Sequence, residues 1–303
     1  MDFLGSLHTM ATQTLAFIGL GSMGMPMLRH LIAAGHTLRV FARNPAAAQS
    51  AAALGALPCS SPAQAAHGAA YVLTNVTATR DVHAILLGEQ GVIHGAAPGT
   101  VCIDHSTIDA AGTRMMAQTL TTQGISLLDA PVSGGEQGAI AGTLAIMVGG
   151  DASAYSRALP LLQSYGKTIV HVGASGAGQV VKACNQMVQV VNIQGIAEAM
   201  VFAQAHGVAL DKVMECLSAG MAGSKMLTLM GDKMARGDFS AGIQARLHHK
   251  DFGLVAEMAQ AAGLHLPAVS ATQAQLNALM ALGMGHDDTS SLLRVLIAAN
   301  ETP

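Results

Sequence analysis

Lys182 lies in "GASGAGQVVKACNQ" (173–186), inside a run of alanine, valine and cysteine that follows three glycines. An ammonium among such neighbours costs free energy unless it has a partner or a task. A lysine whose pKa is lowered by apolar surroundings can take up or release a proton near neutrality. Asn185, three residues on, shares its face if the run is helical, and its amide can hold an oxygen atom. Taken alone, a lysine in a helix is usually a surface residue that snorkels. A second group of interest is "PVSGG" (131–135). Ser133 offers a hydroxyl, and Gly134 and Gly135 offer bare backbone N–H groups, a nest sized for a small carboxylate. The plain alternative is a strand-exit turn.

A third group is "GLGSMG" (19–24): Gly19, Leu20, Gly21, Ser22, Met23 and Gly24. It fits G-x-G-x-x-G directly after an apolar strand and at the opening of a helix. In that context Gly19 allows the tight turn, Gly21 lets a pyrophosphate approach the backbone, and Gly24 lets helix and strand pack closely. The phosphates would sit on the helix N-terminus, where free N–H groups and the dipole favour an anion. A structural glycine turn is the competing reading. The end of the second strand usually selects the cofactor. It reads "VFARNP", with Ala42 where an acid would bind a ribose 2′-OH, then Arg43 and Asn44. Arg43 suits a 2′-phosphate and can stack on adenine, so NADP is favoured and NAD is possible; otherwise Arg43 is an exposed strand-end arginine. Val76 and Thr77, after a later strand, are placed to flank the adenosine side.

These groups need elements to position them. "TLAFIGLG" (14–21) reads as a buried strand entering a glycine turn, and "MPMLRHLIAAG" (25–35) as a helix ending at Gly35. "HTLRVFAR" (36–43) is a second strand, and "NPAAAQSAAALG" a helix with Pro45 in its first turn. Further strands are expected at 69–76, 100–106, 125–132, 143–150 and 168–173, with helical patterns at 79–88, 109–123 and 151–164. Strands alternating with helices imply parallel βαβ units and a sheet covered on both faces. After Gly173 the pattern is helical almost throughout. A helix over about 177–206 would be about 45 Å long at ~1.5 Å per residue. Its apolar residues occupy more than one face, so it should pack against both domains or a second subunit. The fold expected is α/β, a Rossmann-type mostly parallel sheet followed by an all-α C-terminal domain with a long interdomain helix. The domains are residues 12–174, for the dinucleotide, and 175–303, for substrate and oligomerisation. Residues 1–11 read as an extension or tag-like segment, since Met10 offers a second start just before the first strand.

Composition narrows the function classes. Charged residues are only 11% and the net charge is −3, which argues against a nucleic-acid surface. No apolar run reaches the ~18 residues of a membrane span, and the first residues make a poor signal peptide. The four cysteines (Cys59, Cys102, Cys184 and Cys216) form no close pair and read as reduced core thiols of a cytoplasmic protein. The thirteen histidines show no metal-ligand spacing, so no metal is expected.

Four motifs in order, "GLGSMG", "DAPVSGGEQGAIAGTLAIMVGG" (129–150), "GAGQVVKACNQ" (176–186) and "KDFGLVAEMA" (250–259), resemble the β-hydroxyacid dehydrogenase family. That family includes 3-hydroxyisobutyrate dehydrogenase and tartronate and succinic semialdehyde reductases. The resemblance spans about 12–300. It implies an NAD(P)-dependent oxidoreductase with a C-terminal domain like that of 6-phosphogluconate dehydrogenase, interconverting a small 3-hydroxy acid and its semialdehyde. Hydride transfer from a hydroxyl-bearing carbon needs a group to take the hydroxyl proton, and the resemblance makes that group Lys182. It further implies that Ser133, Gly134 and Gly135 bind the substrate carboxylate and that Thr107 meets the nicotinamide end. Lys250 would reach the cofactor and Asp251 the active-site rim; a plain helix-surface ion pair is the alternative. Two departures stand out. Gln186 replaces the family's second asparagine, and Ile243 replaces an aromatic, which implies a pocket for a wider or branched acid. The competing functions are an imine reductase-like enzyme, disfavoured by Lys182, and a non-catalytic dinucleotide-sensing module, disfavoured by Ser133, Lys182 and Asn185 together. The apolar C-terminal helices imply a homodimer or homotetramer.

Overall fold

The structure is a computed structural model that describes residues 12–301; the expected extension at 1–11 lies outside the described residues. Among the described residues nine strands form one sheet: β1 (Thr14–Ile18), β2 (Thr37–Phe41), β3 (Leu57–Pro58), β4 (Tyr71–Thr74), β5 (Val101–Asp104), β6 (Ser126–Asp129), β7 (Val132–Ser133), β8 (Leu144–Gly149) and β9 (Gly166–Gly173). The order is β3-β2-β1-β4-β5-β6-β8-β7, with β9 beside β8. The first six run parallel, β8 is antiparallel to β6 and β7, and β9 is parallel to β8. The strand order reverses between β1 and β4, so the crevice beyond their carboxyl ends is the expected ligand position.

Side-chain alternation explains why the sheet is covered twice. Leu15, Phe17, Tyr71, Leu73, Val101 and Ile103 enter one core cluster. Their neighbours Ala16, Ile18, Val72 and Cys102 enter the other. Successive residues of a strand face opposite sides, so each run must be apolar on both. The covering helices are α1 (Gly24–Ala33), α2 (Pro45–Ala53), α3 (Pro62–Ala66), α4 (Thr79–Leu87), α5 (Ala110–Thr121), α6 (Gly135–Ile140) and α7 (Ala152–Leu162). Side-chain oxygens start several of them: Asn44 caps α2, Asp109 caps α5 and Asp151 caps α7.

One strand expectation needs correction, and one strand was not expected. The run 125–132 is not one strand but β6 and β7, broken at Ala130–Pro131. Ala130 N–H still donates to the Asp104 carbonyl at 2.7 Å as the last rung of the β5–β6 ladder, and Pro131 has no N–H to continue it. The exposed pair β3 had no alternation to betray it; it is an edge strand ending in proline.

The chain divides into two compact units between Lys182 and Ala183. This lies inside a long helix, α8 (Ala177–Ala205). The first turns of α8 bond to the sheet, as described below, and so belong to the first unit. The second unit contains the rest of α8, α9 (Leu210–Ala219), a π turn at Leu227–Gly231, α10 (Asp232–Arg236), α11 (Ala245–Ala261), α12 (Pro267–Ala281) and α13 (Leu292–Glu301). Its core joins Val190, Ile193, Ala197 and Met200 to Phe252, Val255, Leu276, Leu279 and Leu292. Of the cysteines expected in the core, only Cys102 is buried; Cys184 and Cys216 are exposed.

Candidate active site

A cavity of about 480 Å³ opens at the carboxyl ends of β1, β2 and β4. Gly19, Leu20 and Gly21 line it with Arg43, Asn44, Asn75, Val76, Thr77 and Asp81. Gly19 has φ +98°, and a Cβ there would strike the Asn75 carbonyl oxygen. A Cβ on Gly24 would strike the Gly19 carbonyl, whereas Gly21 faces open space. The three glycines thus do what the spacing requires: turn, open approach and close packing. Among the described residues no side chain caps α1 and no acid lies in its first turn, so its N–H groups and dipole are presented to an anion. Ser22 and Met23 lead into this helix. The residues therefore fit a dinucleotide.

The adenosine end of the cavity holds a pair that the sequence did not reveal. Arg43 Nη1 lies 3.4 Å from Asp81 Oδ1, with the arginine side chain 77% exposed. Exposed pairs of this kind add little stability, so the guanidinium stays available to a ligand. Asn44 already has work, because its Oδ1 accepts the Ala46 N–H at 3.0 Å.

A second constellation in the same unit surrounds Lys182. Its Nζ donates to the Val132 carbonyl at 2.9 Å, and the residue is buried. Ser133, Gly134 and Gly135 follow Val132 directly, so Lys182 stands against that turn. Gly134 and Gly135 have φ +137° and +63°, which only glycine adopts readily. The helix carrying Lys182 is anchored by Asp129 at the end of β6. Asp129 Oδ1 accepts the Gly176 N–H at 2.8 Å, and Oδ2 accepts the Gln179 N–H at 3.0 Å. Burial raises the Asp129 carboxyl above the usual range, and these N–H bonds oppose that rise.

Thr107 sits on the loop after β5, between two groups held by Gln179. Gln179 Oε1 accepts the Ile108 N–H at 3.1 Å, and Nε2 donates to the Ser106 carbonyl at 2.8 Å. Ser106 Oγ accepts the Val76 N–H at 2.9 Å and donates to Asp104 Oδ1 at 2.6 Å. Thr74 Oγ1 also donates to that oxygen, at 2.7 Å. Burial pushes the Asp104 carboxyl up to about 6, against the lowering effect of these bonds. Ser106, next to Thr107, thus ties Val76 to one buried carboxylate.

In the second unit, Asn185 Nδ2 donates to Gln186 Oε1 at 2.8 Å, and Gln186 Nε2 donates to Asp251 Oδ2 at 2.6 Å. Lys250 Nζ lies 2.9 Å from Asp251 Oδ1. These four residues form one chain of polar contacts. Ile243 is not part of it. Its N–H donates to Asp288 Oδ2 at 3.0 Å, as does that of Gly242 at 2.8 Å. Sequence reading missed Asp81, Asp104, Asp129, Gln179 and Asp288. Asp129 and Gln179 had a signal, since they lie inside "DAPVSGG" and one turn before Lys182.

Comparison with known proteins finds similar sequences and structures over most of the chain. The family described as the NAD binding domain of 6-phosphogluconate dehydrogenase matches residues 14–173. That described as NAD-binding of NADP-dependent 3-hydroxyisobutyrate dehydrogenase matches 176–296. The chain is 37% identical to 2-hydroxy-3-oxopropionate reductase of Escherichia coli, covering 93% of this chain and 96% of that protein. It is 38% identical to NAD-dependent L-serine dehydrogenase of Pseudomonas aeruginosa, covering 91% and 95%. The solved structure of Mycobacterium tuberculosis 3-hydroxyisobutyrate dehydrogenase with L-serine superposes with a TM-score of 0.87 at 35% identity, covering 94% and 99%. The chain belongs to the β-hydroxyacid dehydrogenase family of NAD(P)-dependent oxidoreductases.

Proposed function

We propose that this enzyme interconverts a small 3-hydroxy acid and its semialdehyde, with Lys182 moving the proton. The observation that carries the reading is the Lys182 Nζ contact to the Val132 carbonyl, directly beside Ser133, Gly134 and Gly135. This contact supports a reading in which a proton carrier works beside an anion-binding turn, since a 3-hydroxy acid carries both a carboxylate and a reacting hydroxyl. Ser133 and the two glycine N–H groups hold the carboxylate. Neutral Lys182 takes the hydroxyl proton, and its ammonium returns it in the reverse direction. Asn185, three residues on in the same helix, holds the reacting oxygen. When bound, the nicotinamide accepts the hydride from the hydroxyl-bearing carbon or gives it to the aldehyde. Gly19–Gly24, Val76 and Thr77 hold the dinucleotide, Thr107 its nicotinamide end, and Lys250 supports it. Gln186 and Asp251 shape the substrate rim, and Ile243 leaves room for a branched acid.

NADP is proposed over NAD. Arg43 supports this as an exposed guanidinium at the cavity wall, with Ala42 in place of an acid. Asp81 is the counter-charge that a 2′-phosphate would displace. Binding of a small carboxylate, assembly as a homodimer or homotetramer and a cytoplasmic place belong to the same proposal. Among the described residues no helix is long and apolar enough to cross a membrane.

The test is cofactor turnover with 3-hydroxyisobutyrate, glycerate, 4-hydroxybutyrate, serine and threonate, and with the matching semialdehydes, each with NAD(H) and NADP(H). Turnover with one or more of these is expected, faster with NADP(H). Cofactor binding without turnover of any would contradict the substrate class and favour an imine substrate or a sensing role.

A further inference from the structure

Gln179 is buried, and both ends of its side-chain amide are committed to backbone. Oε1 takes the Ile108 N–H and Nε2 gives to the Ser106 carbonyl, so the amide grips the loop on either side of Thr107. Its own N–H is held by Asp129 Oδ2. Lys182 follows three residues later on α8, about 5–6 Å away along one helix face. The first turn of α8 is pressed hard against the sheet, because a Cβ on Gly178 would collide with the Asp129 and Met147 carbonyl oxygens. One side chain therefore links the loop after β5 to the helix that carries Lys182, and nothing in their covalent connection does so. Ser106 extends the link, since its hydroxyl holds the Val76 N–H at the cofactor cavity.

We propose that Gln179 is a positioning residue that fixes the Thr107 loop relative to Lys182, and so sets the reacting end of the cofactor against the proton carrier. This rests on the roles proposed above for Thr107 and Lys182. Hydride and proton transfer tolerate misplacement poorly; an error near ~1 Å costs about 100-fold. Losing the grip should therefore lower the chemical step more than the binding of either ligand. A purely structural glutamine would lower stability and leave turnover of the folded enzyme unchanged.

The experiment compares Gln179→Met, Gln179→Glu and Lys182→Ala in the full chain. The reaction is NADPH oxidation with 2-hydroxy-3-oxopropionate, supplemented by NADP reduction with 3-hydroxyisobutyrate and L-serine. Methionine keeps the length and loses both bonds. It should lower kcat by about tenfold or more, leave the NADPH Kd and substrate KM within about threefold, and raise the primary isotope effect with deuterated cofactor. Glutamate can accept from Ile108 N–H, but it donates to the Ser106 carbonyl only when protonated. Its carboxyl would meet Asp129 from β6, Asp104 from β5 through Ser106, and Lys182 on its own helix. The two acids and burial favour the protonated form. The kcat of Gln179→Glu relative to the wild type should therefore rise as pH falls from about 8 to about 5.5.

Folded Gln179→Met with kcat within about twofold of the wild type would overturn the proposal. So would a loss confined to thermal stability or to cofactor affinity. Where Gln179→Met fails to fold, a pH-independent kcat ratio for Gln179→Glu overturns it. Collapse of Lys182→Ala beside an unaffected Gln179→Met overturns this inference alone. Undiminished turnover of Lys182→Ala overturns the role of Lys182 and this inference with it.

Discussion

Arg43 and Asp81 share a cavity wall, and the proposed preference for NADP rests on which of them a ligand meets. The guanidinium is the exposed member of the pair, and the carboxylate is more enclosed. Arg43→Ala should lower kcat/KM with NADP by about tenfold or more and change that with NAD little, because charge-assisted phosphate bonds contribute ~1.5–3 kcal/mol. Asp81→Ala should shift preference further toward NADP by removing a negative neighbour. An unchanged NADP-to-NAD ratio in Arg43→Ala would leave Arg43 as a surface partner of Asp81. Arg43 was legible because its place at the end of a strand after a glycine fingerprint is fixed by local sequence. Asp81 was not, because an acid in the first turn of α4 already has a local explanation in the helix dipole. Lys182 was legible as a misplaced charge. Its partner was hidden, because the Val132 carbonyl is backbone and leaves no mark in residue type.

The adjoining ends of β5 and β6 bury two acids in register, Asp104 and Asp129. Asp104 is pushed from 3.8 to about 6 by burial. Between those values the folded protein keeps a proton that the unfolded chain has released. Its contribution to stability therefore falls as pH rises through about 6. His105 acts in the opposite sense. Burial lowers it from 6.5 to about 4, so the unfolded chain binds the extra proton and stability rises with pH up to 6.5. The two slopes oppose each other in the wild type, and the difference between wild type and Asp104→Asn isolates the acid. That difference should move by about 1 kcal/mol in favour of the variant between about pH 5 and about pH 8, measured by urea unfolding. No movement would place the Asp104 carboxyl in its ordinary range. The strands carrying these acids were legible as apolar runs, whereas the corner at Pro131 and the two-residue β3 were not. Short paired segments are defined by partners far along the chain, and neither has enough residues to show a period.

In the second unit, α8 carries Cys184, Val188, Val191, Gly195, Glu198 and Phe202 at alternating spacings of four and three, with Val191 half-buried against the core and the others exposed. Val188 is 72% and Phe202 66% exposed, and nothing lies within 4 Å of a Cβ built on Gly195. Glu198 shares the stripe, which is otherwise small or apolar. Such spacing suits a helix–helix seam, and a second copy of the chain is the occupant this account assigns to it. Sedimentation at micromolar concentration should show a dimer or a larger assembly, and Val188→Asp with Phe202→Asp should shift it to monomer. A monomeric wild type would contradict the assignment. The long helix was legible from its excess of apolar residues on more than one face, but the direction of the surplus face emerged only once Val190, Ile193 and Ala197 were seen to fill the core of this unit.

The central claim is that Lys182 moves the proton. The most direct measurement is single-turnover oxidation of bound NADPH by 2-hydroxy-3-oxopropionate in wild type and Lys182→Ala, with cofactor Kd measured alongside. The account predicts a rate lowered by ~10²–10⁴-fold with cofactor affinity retained. A rate within a few-fold of the wild type would contradict it and leave Lys182 as a structural donor to the Val132 carbonyl.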